Sequence, residues 1–297
     1  MVIVKLQGGL GNQMFQYAAG RSLSLRLGTP LKLDRSRMDH PVPGSTPWRY
    51  ALGAMHIGED FADTREVEEL SGQERTGLRK LVHRVRRATG LSPPRATVLR
   101  DRDFRFLPEF HEVSGDVYLD GYWQSEKYFL GISETVRREF SLRRPLEGVD
   151  REFGEAIGRD DSVSIHVRRG DYVSNPEANR FHGLCGAGYY RRCMAIVSEK
   201  VGAPRFVVFT DDPAWARGNM DVPRGTAFVD WDQPRDGSVD LELMRRCRHH
   251  ILANSSFSWW GAWLGSRQGS LVLAPARWFY DPSMDTADLL PDSWVRV

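Results

Sequence analysis

The sequence predicts an α/β protein, and three observations carry that prediction. Short apolar runs alternate with helix-patterned stretches through the second half of the chain, the pattern of right-handed crossovers between parallel strands. The N-terminus starts the same way, with strand, glycine loop and helix. Polar and charged residues gather just past the carboxyl ends of the apolar runs, where ligands sit in open α/β sheets. At 297 residues, 41% hydrophobic and 27% charged, the chain is long enough for two domains and can bury a full core. A net charge of +2 gives no general argument for nucleic acid as a partner. Cys185, Cys193 and Cys247 are an odd count that argues against a disulfide framework and for a reducing, cytoplasmic compartment. No basic stretch leads into a long apolar run, and no apolar run approaches about eighteen residues, so the expectation is no signal peptide and no membrane anchor.

In chain order, residues 2–6 (Val-Ile-Val-Lys-Leu) read as a first strand. Gln7-Gly8-Gly9-Leu10-Gly11-Asn12-Gln13 then turns the chain into a helix running to Leu27 and stopped by Gly28. Glycines at such a place let backbone approach a pyrophosphate at a helix start. The dinucleotide pattern G-x-G-x-x-G fails, because Met14 stands three residues after Gly11. Asp34, after the strand-like run 31–33, imitates the ribose-binding acid of a nicotinamide enzyme, but an oxidoreductase lacks its third glycine here. From Gly72 to Arg105 the composition turns basic, with Leu78, Leu81, Val82 and Val85 at helical spacing before a Pro93-Pro94 break. This reads as a basic amphipathic helix, either a solvated face or a contact for an anionic membrane surface. Residues 117–120 form another strand, leading into Gly121-Tyr122-Trp123-Gln124-Ser125-Glu126-Lys127-Tyr128-Phe129. A polar-aromatic cluster of that kind suits a sugar, flat faces for its C–H surface and amide or carboxylate groups for its hydroxyls.

A hinge is expected in 141–151, dividing the chain into domains 1–145, with a basic helical insertion around 72–105, and 146–297. Beyond it, strands at 162–167, 205–209, 226–229, 250–253 and 271–273 alternate with helices at 188–200, after Pro213, at 238–248 and at 257–266. The second half is therefore expected to be doubly wound, around a parallel sheet.

Three strand ends there carry chemistry. His166, Arg168, Arg169 and Asp171 follow the first, Thr210-Asp211-Asp212-Pro213 the second, and Asn254-Ser255-Ser256-Phe257-Ser258-Trp259-Trp260-Gly261 the third. An arginine fixed beside the free amides of a helix start suits a nucleoside diphosphate, and an Asp carboxylate matches the paired donors of guanine. Helix capping alone would account for the aspartates or the serines singly, but not for all three ends together. Asp230-Trp231-Asp232 has the D-x-D spacing some glycosyltransferases use for a divalent metal, and Asp101-Arg102-Asp103 repeats it. With Arg168 available to neutralise a diphosphate, no metal is required. Cys247 with His249 and His250, and Cys185 and Cys193 with His182, lack the ligand spacing of a structural zinc site.

The runs Gly8 to Ala18, His166 to Tyr172, Phe209 to Asp212 and Asn254 to Trp263, with Gly121 to Phe129, resemble glycosyltransferase family 11, the α-1,2-fucosyltransferases, over nearly the whole chain and in that family's order. The resemblance implies a GT-B-type architecture, two Rossmann-like domains with parallel sheets facing across a cleft. It implies inverting transfer of L-fucose from GDP-β-L-fucose to the 2-hydroxyl of a terminal galactose in an oligosaccharide, without an essential metal or other cofactor. Carried onto this sequence, Arg168 neutralises the leaving diphosphate and Asn12 helps place donor and acceptor. His166 and one of Asp211 or Asp212 hold the guanosine. Arg169, Asn254, Ser255, Ser256 and Phe257 complete the donor side, and Asp171 orients the arginines. Gln13, Tyr122, Trp123, Gln124 and Glu126 are the acceptor-side residues. Glu126, Asp120, Asp34 and Asp171 are all imaginable as the base. The expected location is the cytoplasm, at the inner membrane through the basic helix. Set against this are another GDP-sugar-dependent transferase of different linkage or acceptor, a non-catalytic nucleotide-sugar or glycan-binding protein, a metal-dependent transferase working through Asp230 and Asp232, and an interaction protein acting through the basic helix.

Overall fold

The computed structural model describes residues 1–40, 47–72, 96–229 and 236–297, with the side chains of Asp171 and Ala178 outside the described ones. Asp230, Asp232 and the basic stretch 73–95 lie outside the described residues. Two compact units emerge, one of Met1–Gly53 with Ile57–Val136, the other of Ala54–His56 with Arg137–Val297.

In the first unit, β1 (Val2–Lys5), β2 (Leu31–Asp34), β3 (Thr97–Arg100) and β4 (Val117–Asp120) form, among the described residues, a sheet of order β2-β1-β4-β3. Every pairing in it is parallel. Val2, Ile3 and Val4 are fully buried, as a strand covered on both faces requires. The helix Leu10–Leu27 ends where expected, because Gly28 takes the left-handed conformation (φ 63°) and returns its N–H to the Leu25 carbonyl. Gly20 lets this helix lie close on the sheet, since a Cβ there would stand 2.8 Å from Leu31 and 3.1 Å from Val4. One expectation is corrected: the basic stretch is not helical to residue 105. Thr97-Val98-Leu99 supply β-branched and apolar side chains that pair in register with β4, and the ladder wins over the helical periodicity read upstream.

The second unit is doubly wound. Its strands are β5 (Ser162–Val167), β6 (Arg205–Thr210), β7 (Ala227–Val229), β8 (His249–Ile251), β9 (Val272–Ala274) and β10 (Val295–Arg296), in the order β10-β9-β8-β5-β6-β7, all parallel. The helices Ala187–Val201, Pro213–Asn219, Gly237–Arg246 and Ser256–Gly265 fall within two residues of their expected bounds. The stretch after β5, where no element is expected before residue 188, contains the helices Gly170–Ser174 and Pro176–His182. Short polar helices of five and seven residues leave too little apolar periodicity to be read.

The unit boundary lies at Val136 and Arg137, not at 145 and 146. Residues 137–145 belong with the second unit because they are nailed to it. Arg137 donates to the Leu264 carbonyl at 2.8 Å and stacks over Trp263 at 4.4 Å, and Phe140 meets Trp260 edge-on at 5.0 Å. The helix Ser256–Gly265 is apolar all round, with every residue from Ser258 to Gly265 buried, so it needs such covering on its far side.

Candidate active site

In each sheet the chain fills one flank of its first strand, β1 or β5, and later crosses to the other, and the expected site residues gather at that crossing. In the second unit the chain winds outward through β6 and β7, then returns to the other flank of β5 for β8 to β10. The crevice beyond the carboxyl ends of β5 and β8 is therefore the topological switch point, the place where open α/β sheets bind ligands.

β5 delivers His166, Arg168 and Arg169 to that edge, and β6 beside it delivers Asp211 and Asp212. The four charged residues form two pairs. Arg168 Nη1 stands 3.0 Å from Asp211 Oδ2, and Arg169 Nε 3.0 Å from Asp212 Oδ2. Asp211 Oδ1 also accepts the Arg169 backbone N–H at 2.8 Å. Asp212 Oδ1 accepts the Trp215 N–H at 3.0 Å, capping the helix Pro213–Asn219. The Trp215 N–H, and after it Arg169, hold the Asp212 carboxyl below its ordinary pKa. The Arg169 guanidinium lies 4.1 Å over the Trp215 ring. A Cβ on Gly170 would come within 2.9 Å of Asp211 Oδ2, so a side chain there would press on the carboxylate that holds Arg168. Asp211 and Asp212 orient the arginines, and the Asp171 side chain, to which that task was assigned from sequence, lies outside the described residues.

The third strand end closes the site. Ser255 caps the helix Ser256–Gly265, its hydroxyl accepting from the Phe257 N–H, and the Phe257 ring sits 5.4 Å from the imidazole of His166. His166 is buried, and its Nδ1 has no hydrogen-bond partner among the described residues. Burial, and then the positive charge of Arg168, push its pKa down to about 3, so it is neutral at physiological pH. Asn254, expected as a ligand contact, is a buried brace: Nδ2 donates to the carbonyls of His182, Gly183 and Trp278, and Oδ1 accepts from the Cys185 thiol. Tyr190 pins the His166 carbonyl at 3.1 Å and Tyr189 that of Leu252 at 2.7 Å. Neither tyrosine was foreseen, since a helix's aromatic face reads as ordinary core.

In the first unit the switch point lies between β1 and β4. There the glycine loop after β1 meets the loop after β4. Gln124 Nε2 donates to Asn12 Oδ1 at 2.8 Å, and Gln16 Nε2 reaches the Gly121 carbonyl at 3.3 Å. Gln13 is fully buried, donating to the carbonyls of Gly8 and Arg49 and accepting from the Ala51 N–H, all within 2.9 Å. Trp123 is also fully buried. These two are corrected from acceptor contacts to framework, since neither shows surface to a ligand. Tyr122 remains exposed, stacked on Phe104, and Glu126 is half-buried.

Asp101, noticed in sequence only for its spacing from Asp103, holds this loop in shape. Its Oδ2 accepts the Trp123 N–H at 2.6 Å, and Trp123 has φ 57°, a conformation an L residue keeps only when its surroundings impose it. Burial pushes the Asp101 carboxyl up to about 6. Of the carboxylates considered as base, Asp34 is buried and bonded to the Tyr118 hydroxyl and the Ser36 N–H, and Asp120 is paired with Lys5 at 2.9 Å. Among the described residues no cluster of His, Cys, Asp and Glu could hold a metal ion, and no helix is long and apolar enough to cross a membrane. The three cysteines are free, and burial raises the pKa of each.

Comparison with known proteins returns the family expected from the motifs. A model described as "Glycosyl transferase family 11" matches residues 97–297. An alpha-1,2-colitosyltransferase of Escherichia coli is 33% identical over 306 residues, covering 100% of this chain and 99% of its own. An O-antigen biosynthesis glycosyltransferase, WbnK, also of Escherichia coli, is 29% identical over 306 residues, covering 98% and 99%. A galactoside alpha-(1,2)-fucosyltransferase 1 of Gorilla gorilla gorilla is 32% identical over 170 residues, covering 54% of this chain and 46% of that protein.

Proposed function

The chain belongs to glycosyltransferase family 11, and on that premise we propose that it transfers L-fucose from GDP-β-L-fucose to the 2-hydroxyl of a terminal galactose, with inversion and without a metal. The observation that carries the reading is the Arg168 guanidinium, fixed at 3.0 Å by Asp211 at the same sheet edge as the capped start of the helix Ser256–Gly265. Departure of GDP builds negative charge on the β-phosphate and oxocarbenium character on the sugar. A pre-oriented guanidinium and helix-start amides stabilise that charge more in the transition state than in the ground state, and they need no reorganisation to do so. Neutral His166 and the Phe257 ring beside it suit the nucleoside. The amide pair Asn12–Gln124 suits the acceptor.

A second reading is favoured by one observation: the relative at 33% identity is named for colitose. Colitose is L-fucose without its 3-hydroxyl. A site that hydrogen-bonds that hydroxyl rejects the deoxy sugar by roughly 10⁴-fold or more, whereas an apolar lining discriminates only about a hundredfold. The ratio of kcat/KM for GDP-fucose and GDP-colitose therefore distinguishes the donors.

The primary test is GDP release from GDP-fucose with lactose, in EDTA, with the product linkage assigned by NMR. Turnover to a 2-linked fucoside is expected. Arg168→Ala is expected to lose at least ~3 kcal/mol of transition-state stabilisation, a hundredfold or more in kcat. GDP binding without turnover on either donor would favour a different acceptor or a binding protein, and loss of turnover in EDTA would sink the metal-free mechanism.

A further inference from the structure

Beside the glycine loop of the first unit stands an aromatic residue that the sequence motifs do not include. Trp48 is 37% exposed, an unusual state for the largest apolar side chain, and it does not hang loose. A Cβ on Gly9 would lie 3.2 Å from its ring, so the indole rests directly on the glycine loop, and a side chain there would push it aside by a few tenths of an ångström. The backbone that carries Trp48 is laced to the same loop by Gln13, whose amide joins Arg49 and Ala51 to Gly8. A buried glutamine spending its hydrogen bonds on this seam holds the backbone that presents the indole.

One residue along, at Gly8, a Cβ would collide with Asn12 Nδ2, so the Asn12 amide flanks the same two-residue stretch. Asn12 Oδ1 is taken by Gln124 Nε2, which leaves Asn12 Nδ2 as a donor and Gln124 Oε1 as an acceptor, each without a partner among the described residues. A donor and an acceptor held side by side are the complement of a hydroxyl, which both gives and accepts. A half-exposed aromatic face is the complement of the C–H surface of a pyranose ring, whose weakly positive hydrogens meet the negative face of the indole.

Resting on the proposed function, we infer that Trp48 is an acceptor-binding residue, the platform for a galactopyranoside whose hydroxyl is taken by the Asn12–Gln124 amide pair. Trp48 touches the sugar, while Gln13 acts through it as a positioning residue.

The test uses the full chain. Lactose binding in the absence of donor is followed by saturation-transfer NMR, and the Michaelis constants for lactose and GDP-fucose are measured separately, for the wild type, Trp48→Ala and Trp48→Phe. The expected result is about a tenfold rise in the lactose KM for Trp48→Ala, with a smaller rise for Trp48→Phe, which keeps a flat ring. The donor KM stays at the wild-type value, and Trp48→Phe, which keeps a ring over Gly9, holds the melting temperature. A lactose KM in Trp48→Ala within about twofold of wild type overturns the inference, as does lactose binding undiminished in that variant. A wild type that releases no GDP from its donor overturns the proposed function instead, and that failure is seen without any variant.

Discussion

The arginines at the end of β5 show why residue type alone understates a site. Arg168 and Arg169 are legible as phosphate ligands because two guanidiniums follow a buried strand, but their orientation comes from a neighbouring strand forty residues away. Asp211 and Asp212 were legible as polar strand-end residues, and their partners were not, because register between β5 and β6 is set by the tertiary fold. The pairing has a kinetic signature. If Asp211 serves by holding Arg168, then Asp211→Ala lowers kcat by roughly tenfold or more, and adding it to Arg168→Ala costs little further, since residues acting as one unit are strongly non-additive. Independent losses that multiply in the double variant would return Asp211 to a direct contact with the nucleoside. Gly170→Ala belongs to the same cycle, because its methyl would press on Asp211 Oδ2 at 2.9 Å and tilt the pair.

At the scale of elements, the helices with long apolar periods and the strands with unbroken apolar runs were legible, down to the Gly28 stop of the first helix. What escaped was of two kinds. Short polar helices after β5 carry no period, and β3 was hidden in a stretch whose arginines dominate its pattern while its pairing with β4 decides its structure. Of the site, the three strand ends were legible; the buried glutamine seam, Trp48 and Asp101 were not, because each acts through a contact distant in sequence. The start of the helix Ser256–Gly265 permits a separation of stability from function. Ser255→Ala removes the cap on the Phe257 N–H and should cost about 1 kcal/mol, visible as a lower melting temperature. Ser255→Asp keeps a cap acceptor and favours the helix dipole, so the melting temperature holds, while its negative charge repels a diphosphate and raises the donor KM. If the donor KM of Ser255→Asp equals the wild-type value, this helix start binds no phosphate.

Across the whole molecule, the two units carry buried titratable groups of opposite sense. In the second unit, His166 and His250 are both pushed down to about 3, chiefly by burial, and His249 is lowered for the same reason. A histidine depressed below its unfolded value of 6.5 contributes stability that is fully present above 6.5 and is lost as pH falls toward about 3. In the first unit, Asp101 is raised from 3.8 to about 6, so its contribution is present at low pH and is lost as pH rises through 6. Acidification from pH 7 to 5 should therefore weaken the second unit while it relieves the first. Hydrogen exchange read peptide by peptide at both values measures this directly. Relative to the intrinsic rate at each pH, lower protection is expected around β5 and β8, and higher protection in the loop Gly121 to Gln124 that Asp101 holds. Asp101→Asn, which keeps a carbonyl for the Trp123 N–H, should abolish the second change and leave the first untouched. Unchanged protection of the loop Gly121 to Gln124 between the two pH values would mean that the Asp101 carboxyl titrates in the folded protein at its ordinary value, and that it is not the buried clasp of the Trp123 turn.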